Sequence, residues 1–162
     1  MSNKLALLST VPFSSFSQWD VKQFFFAKIL SKYPVEELGK HLIHQTEKIQ
    51  LSDEPTKEFT ILGVSNKIGM FDGSTEKGSK IKQKYHVVKD NWLAYNPYRI
   101  NVGSIGIKTP NLKGSYISPA YVVFSCKDTI LPEYLWLMMK SDFFNKLIKD
   151  STTGSVRQLS LI

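Results

Sequence analysis

The chain is nearly free of cysteine. Cys126 is its single one, so no disulfide can form within it and no cysteine cage for zinc can be built. That usage fits a reducing cytosol. Cys126 lies in the apolar stretch Tyr121–Cys126 and reads as a small buried hydrophobe rather than a nucleophile. Long apolar runs are also missing. The run near the N-terminus ends at Leu8, which is short for a signal sequence. Nothing approaches the ~18 apolar residues needed to span a membrane. A soluble, cytoplasmic chain is expected. There is no internal repeat and no low-complexity linker, and 162 residues suit one domain. Acidic residues are the scarcer charge: 21 Lys and Arg against 14 Asp and Glu give a net charge of +7. A basic balance favours a polyanionic partner such as nucleic acid.

Signatures of catalysis are equally sparse. Gly103-Ser-Ile-Gly106 has part of a phosphate-cradling pattern but lacks the third glycine and a following helix. Ser104 is not framed as G-x-S-x-G. These two glycines read better as a strand bulge or a close backbone approach. Glu36 with Glu37 and Asp53 with Glu54 are sequence neighbours that point to different sides, so neither forms an acid/base pair. His41, His44 and Glu47 are each three apart and on a helix could share a face as metal ligands. The segment is only weakly helical, so chance spacing is the better reading. No nucleophile–base pair is visible.

What is present is an α+β pattern. Ser17-Gln-Trp-Asp20 has the form of a capping box. Val21, Phe24, Phe25 and Ile29 follow at helical spacing, predicting a helix from Ser17 to Ser31 that Tyr33-Pro34 ends. Val35 to Ile43 is a second short helix or a turn. Phe59–Val64 reads as a strand. Asn66 to Gly78 reads as a loop, with Gly69, Gly73 and Gly78 among Asp72 and Ser74. Ile81, Gln83, Tyr85 and Val87 alternate with Lys82, Lys84 and His86, predicting a half-buried strand with a basic outer face. Trp92–Tyr95, Ile100–Ile107 and Tyr116–Phe124 are further β runs. The stretch from Thr109 to Gly114 turns the chain. Pro132 suits a helix start, and Leu135, Met138, Met139, Phe143, Phe144, Leu147 and Ile148 continue helically past Ser141. Strands and helices do not alternate, which argues against a doubly wound parallel sheet. The expected architecture is a single α+β domain. It has a twisted, mostly antiparallel or mixed β core flanked by an N-terminal helix and a C-terminal helical pair.

Basic and small polar residues gather in the connecting segments. Lys77, Lys80, Lys82 and Lys84 fall close together, and Arg99, Lys108 and Lys113 follow around the next turns. Ser151, Thr152, Thr153, Gly154, Ser155 and Arg157 form a polar loop near the end. Lysines attract phosphates without regard to sequence, whereas hydroxyls and arginines can read base edges. A solvated charged surface is the competing reading of the lysine cluster.

Six stretches, in order, carry a resemblance. They are Phe16-Ser-Gln-Trp-Asp-Val-Lys22, Ile61-Leu-Gly-Val-Ser-Asn66, and Trp92-Leu-Ala-Tyr-Asn-Pro-Tyr-Arg-Ile-Asn-Val-Gly-Ser-Ile-Gly106. Then come Ile117-Ser-Pro-Ala-Tyr-Val-Val-Phe124, Pro132-Glu-Tyr-Leu with Lys140-Ser-Asp-Phe-Phe, and Thr153-Gly-Ser-Val-Arg157. Together they resemble the target-recognition domain of the specificity subunit of Type I restriction–modification systems. In that family two such domains, separated by long helices, each read one half of a split DNA target. Methyltransferase subunits bound to the helices methylate adenine, and restriction subunits add ATP-driven translocation and cleavage. The adenine is flipped out for methylation by the partner.

The resemblance therefore implies a sequence-specific DNA-binding module that is not an enzyme. Its partners would be double-stranded DNA, the methyltransferase subunit and, through it, the restriction subunit. It would hold no cofactor of its own; S-adenosylmethionine, ATP and magnesium would belong to the partners. One recognition domain is expected over residues 16–162, after a lead segment of residues 1–15, with no spacer helix. The expected DNA contacts are Lys80, Lys82, Lys84, Arg99, Lys108, Lys113, Thr153, Ser155 and Arg157. The other reading is a protein-interaction module that docks on methyltransferase subunits through its apolar helices, without useful DNA binding.

Overall fold

The run Leu93-Ala-Tyr95 is buried at every position, so the strand it forms must be covered on both faces. The computed structural model, which describes residues 32–151, shows how. Its strands are β1 (Leu42–His44), β2 (Lys48–Gln50), β3 (Glu58–Ser65), β4 (Gly69–Lys77) and β5 (Lys84–Val87). They continue as β6 (Leu93–Tyr95), β7 (Ile105–Ile107), β8 (Tyr116–Ile117) and β9 (Val122–Cys126). Two helices follow, α1 (Pro132–Lys140) and α2 (Asp142–Ser151). One sheet has the order β1-β9-β6-β7 and is antiparallel throughout. The other has the order β2-β5-β8-β3-β4 and is mixed, because β3 and β8 run parallel. The chain is an α+β domain, as its pattern of elements predicts.

Strand alternation sorts the core into layers. Leu93, Tyr95, Ile105, Ile107 and Phe124 face the helices and pack with Leu135, Met139 and Ile148. Ala94 and Val123 point the other way and meet Leu62, Val64, Met70 and Ile117 of the five-stranded sheet. On that sheet's outer face Phe59, Ile61, Tyr85 and Tyr116 are covered by Leu51 and Ile81. Each fully buried side chain of this kind contributes about 1.5–3 kcal/mol relative to exposure.

The helical pair is divided at Ser141, whose backbone is extended (ψ 151°). Its hydroxyl donates to the Met138 carbonyl at 2.6 Å and accepts from the Phe144 amide at 3.2 Å. One side chain thus closes α1 and opens α2. Among the described residues no helix is long and apolar enough to cross a membrane.

Several expectations are corrected. Residues 66–78 are not a loop. Beyond a tight turn they form β4, paired along β3 with a bulge between Thr60 and Leu62. A Cβ on Gly73 would meet the Ile61 carbonyl of the paired strand at 2.8 Å, so this glycine serves a close backbone approach within the ladder, which a turn-propensity reading does not capture. Ile100–Ile107 is a strand only from Ile105. Ile100–Val102 makes a 3-10 turn that ends at Gly103 in the left-handed region (φ 77°), where a side chain would be strained. Tyr116–Phe124 is split by a turn at Ser118–Tyr121, and its halves join different sheets. Val35 to Ile43 resolves into a 3-10 turn at Leu38–His41 followed by β1. The expected helix from Ser17 to Ser31 and the lead segment lie outside the described residues.

Candidate nucleic-acid interface

After β4 the chain folds back over the outer face of the five-stranded sheet. A 3-10 turn at Gly78–Lys80 leads to Ile81, which is buried with Leu51 and Phe59. Lys80 and Lys82 flank this apolar anchor and remain exposed. Both line an open groove of about 510 Å³ with Ile61, Ser74, Glu76, Gln83 and Tyr85. Neither lysine is ion-paired among the described residues. The ladder begins only at Lys84, which stands opposite Gln50 of β2. Alternation therefore puts Lys84 on the other face of the sheet from Tyr85.

His86 shares the face of Lys84, but it is 5% exposed and buried against the opposing sheet. The expected basic outer face of this strand is thus corrected. Burial, then the charges of Lys48 and His44, push the His86 imidazole down to about 4. Its Nδ1 has no hydrogen-bond partner among the described residues, and the depressed value keeps the ring neutral at pH 7.

The other basic residues are placed apart. Arg99 is exposed beside a cleft of about 130 Å³ lined by Val64, Ser65, Asn66, Val102 and Ser104. Ile61 lines the lysine groove and Ser65 lines this cleft, so about 13 Å of strand separates them. Beside the cleft, the Lys140 ammonium donates to the Asn66 and Gly103 carbonyls and ties the β3–β4 turn to the segment after Arg99. Lys113 is exposed on a turn fixed by Asp72, whose carboxylate accepts from the Lys113 amide at 3.0 Å and the Gly114 amide at 2.9 Å. Burial works against that carboxylate. The two amide bonds and the charges of Lys113 and Lys108 outweigh it and hold Asp72 below its ordinary value.

Lys108 is buried and its ammonium meets Asp90. Thr153, Ser155 and Arg157 lie outside the described residues. Of the nine residues singled out by sequence, Lys80 and Lys82 are brought into one groove and Lys84 is close in sequence but faces away. Arg99 and Lys113 stand elsewhere, and Lys108 is committed to an internal pair.

Sequence reasoning missed Ser74, Glu76, Gln83 and Tyr85. The first two fell in the segment read as a loop. The register Phe59↔Glu76 is what carries Glu76 to the outer face, and that pairing is a tertiary fact. Gln83 and Tyr85 were visible as an alternating pair, but alternation alone does not say what lies above them.

The His41 ring is engaged at both nitrogens, Nδ1 with Thr129 Oγ1 at 2.8 Å and Nε2 with Glu36 at 3.1 Å. Among the described residues no group of three or more His, Cys, Asp or Glu could hold a metal ion. Cys126 is half-buried, and burial, then Glu133, push its thiol up, away from the reactive thiolate.

No family model and no curated protein matches the chain. Solved structures do match it. One is a chain of the type I R-M system, from work on its complex assembly and conformational transition. It aligns with a TM-score of 0.63 at 19% identity, over 77% of this chain and 34% of its own length. Another is the HsdS subunit from Thermoanaerobacter tengcongensis, with a TM-score of 0.62 at 18% identity, over 78% of this chain and 34% of the subunit. The present chain thus spans about a third of the length of these proteins. At this identity the likeness is one of fold, and it meets the expectation that the six sequence stretches raise. The chain has the α+β fold found within the HsdS subunit of Type I restriction–modification systems.

Proposed function

We propose that this chain is a DNA target-recognition module of a Type I restriction–modification complex. It reads one half of a bipartite target for partner methyltransferase and endonuclease subunits, acts in the cytoplasm and catalyses nothing itself. The likeness of its fold to the HsdS subunit carries this reading. The net charge of +7 and the two groove lysines, unpaired among the described residues, support it, since phosphate contacts supply a large share of the affinity of such a module. S-adenosylmethionine, ATP and magnesium belong to the partners. Arg99 and Lys113, and beyond the described residues Thr153, Ser155 and Arg157, are further contacts in this proposal.

One observation favours a second reading, a module that docks on methyltransferase subunits. Leu131, Tyr134 and Leu137 are 71%, 61% and 62% exposed on one side of α1. The first two border a hollow of about 380 Å³ with His41, Thr129 and Ile130. Apolar residues grouped in this way mark interaction surfaces.

The test is a selection from random duplexes by the whole chain at two salt concentrations, with and without the methyltransferase subunit of its own system. Enrichment of a short motif in either condition is expected. No DNA binding in both conditions, together with a stable methyltransferase complex, would replace the first reading by the second. Within a motif-selecting chain, Arg157→Ala is expected to weaken binding at fixed salt. Unchanged affinity in the folded variant would remove Arg157 from the site.

A further inference from the structure

The lysine groove contains a carboxylate that a simple phosphate-binding surface would not have. Glu76 lies on β4 opposite Phe59 and lines the groove together with Lys80 and Lys82. It is half-buried and forms no ion pair with either lysine or with any other described residue. A carboxylate left unpaired beside two unpaired ammonium groups repels any phosphate the lysines attract. The cost is removed if the ligand carries a hydrogen-bond donor at one place and a phosphate at another. A nucleotide within a duplex has both. Cytosine N4 and adenine N6 present amino donors on the major-groove edge, and a carboxylate is a natural acceptor for them.

We propose, resting on the DNA-reading function above, that Glu76 is a specificity-determining residue. It accepts a hydrogen bond from the exocyclic amino group of a cytosine or adenine. Lys80 and Lys82 hold the phosphates that flank that base. Glu76 is suited to this by its support. It stands on a strand paired to β3 along most of its length rather than on a free loop, so its position is set before DNA arrives. Gln83, which lines the same groove, offers a donor and an acceptor to the same edge.

The experiment is the random-duplex selection, run in the presence of the methyltransferase subunit with wild type, Glu76→Ala and Glu76→Gln. The thermal midpoint of each variant is checked against wild type. Wild type is expected to demand cytosine or adenine at one position of its motif. Glu76→Ala should lower that single preference about tenfold and leave the others unchanged. Glu76→Gln should keep the preference if the base is adenine, which a glutamine reads through N6 and N7, and lose it if the base is cytosine.

A motif unchanged in Glu76→Ala, with affinity for every duplex raised equally, would show an ordinary surface charge and overturn the assignment while leaving the DNA-reading function intact. A wild-type chain that selects no motif at all would overturn that function and the assignment together.

Discussion

The Lys108 ammonium lies 2.5 Å from the Asp90 carboxylate, with the lysine side chain 6% exposed and the aspartate side chain 52% exposed. The pair is therefore asymmetric. Removing the lysine charge leaves a carboxylate that water can solvate. Removing the aspartate charge leaves a buried ammonium group without its direct partner, with only the more distant Asp72 charge to offset it. Asp90→Asn is expected to destabilise the domain more than Lys108→Met, which keeps the aliphatic stem. The difference should be on the order of 1 kcal/mol, since solvent at Asp90 screens the pair. Denaturant midpoints decide the order, and equal losses would refute it. In folded Lys108→Met, DNA affinity should be unchanged.

Gly106 and Met70 mark a close approach of the two sheets. A Cβ atom on residue 106 would overlap the Met70 amide nitrogen and sit 2.8 Å from Met70 Cα. Those are backbone atoms of a paired strand and no rotamer change can relieve the clash. Gly106→Ala is expected to cost about 3 kcal/mol, the upper part of the range for overpacking. That corresponds to a fall in Tm of roughly 6–12 °C for a domain of this size. A midpoint within a degree of wild type would mean that the sheets can separate freely here.

That contact also shows why only part of the fold is legible in the sequence. Local signals identified the helix starting at Pro132, with Leu135 and Met139 on its apolar stripe, and the strand at Trp92–Tyr95, observed as Leu93–Tyr95. They failed at β4, where Gly73 resembled a turn residue although the strand is held by pairing with β3; at Gly69, which has φ 79° beside the hairpin turn, the signal was right. They failed again at Ser118–Tyr121, where the turn signal Ser118-Pro119 was present but was overridden by the apolar residues on either side. The candidate site was legible as a cluster of lysines, not as a groove. Which lysines converge depends on where the β5 ladder begins, and Glu76 enters only through strand register.

His86 makes stability depend on pH. Its folded value is about 4, below the ordinary 6.5, because burial and the nearby charges of Lys48 and His44 disfavour the imidazolium. In the unfolded chain the ring takes up a proton as pH falls through 6.5, while in the folded chain it resists until about 4. The unfolded state then binds more protons, so stability is complete above 6.5 and declines between 6.5 and 4. The loss should be on the order of 2 kcal/mol, allowing for solvent near the ring. His86→Gln should flatten this part of the pH–stability curve. A wild-type curve without slope in that window would show the ring to be free to protonate in the folded state.

The three lysines of the Lys80–Lys84 segment should not contribute equally to DNA binding. Lys80 and Lys82 overlook one groove, whereas Lys84 sits on the opposite face of its strand beside Gln50. A rigid duplex laid along the groove can bring phosphates to the first two but has no reason to reach the third. Each lost phosphate contact lowers the slope of log affinity against log salt by about 0.9. Lys80→Gln with Lys82→Gln is therefore expected to flatten the slope by roughly 2, with sequence preference unchanged, and Lys84→Gln by much less. The measurement is affinity for one duplex over a range of salt, each variant compared with wild type at matched folding. If the double variant keeps the wild-type slope, the groove does not hold phosphate. If Lys84→Gln flattens the slope as much as either groove lysine, the duplex lies across the sheet edge rather than along the groove.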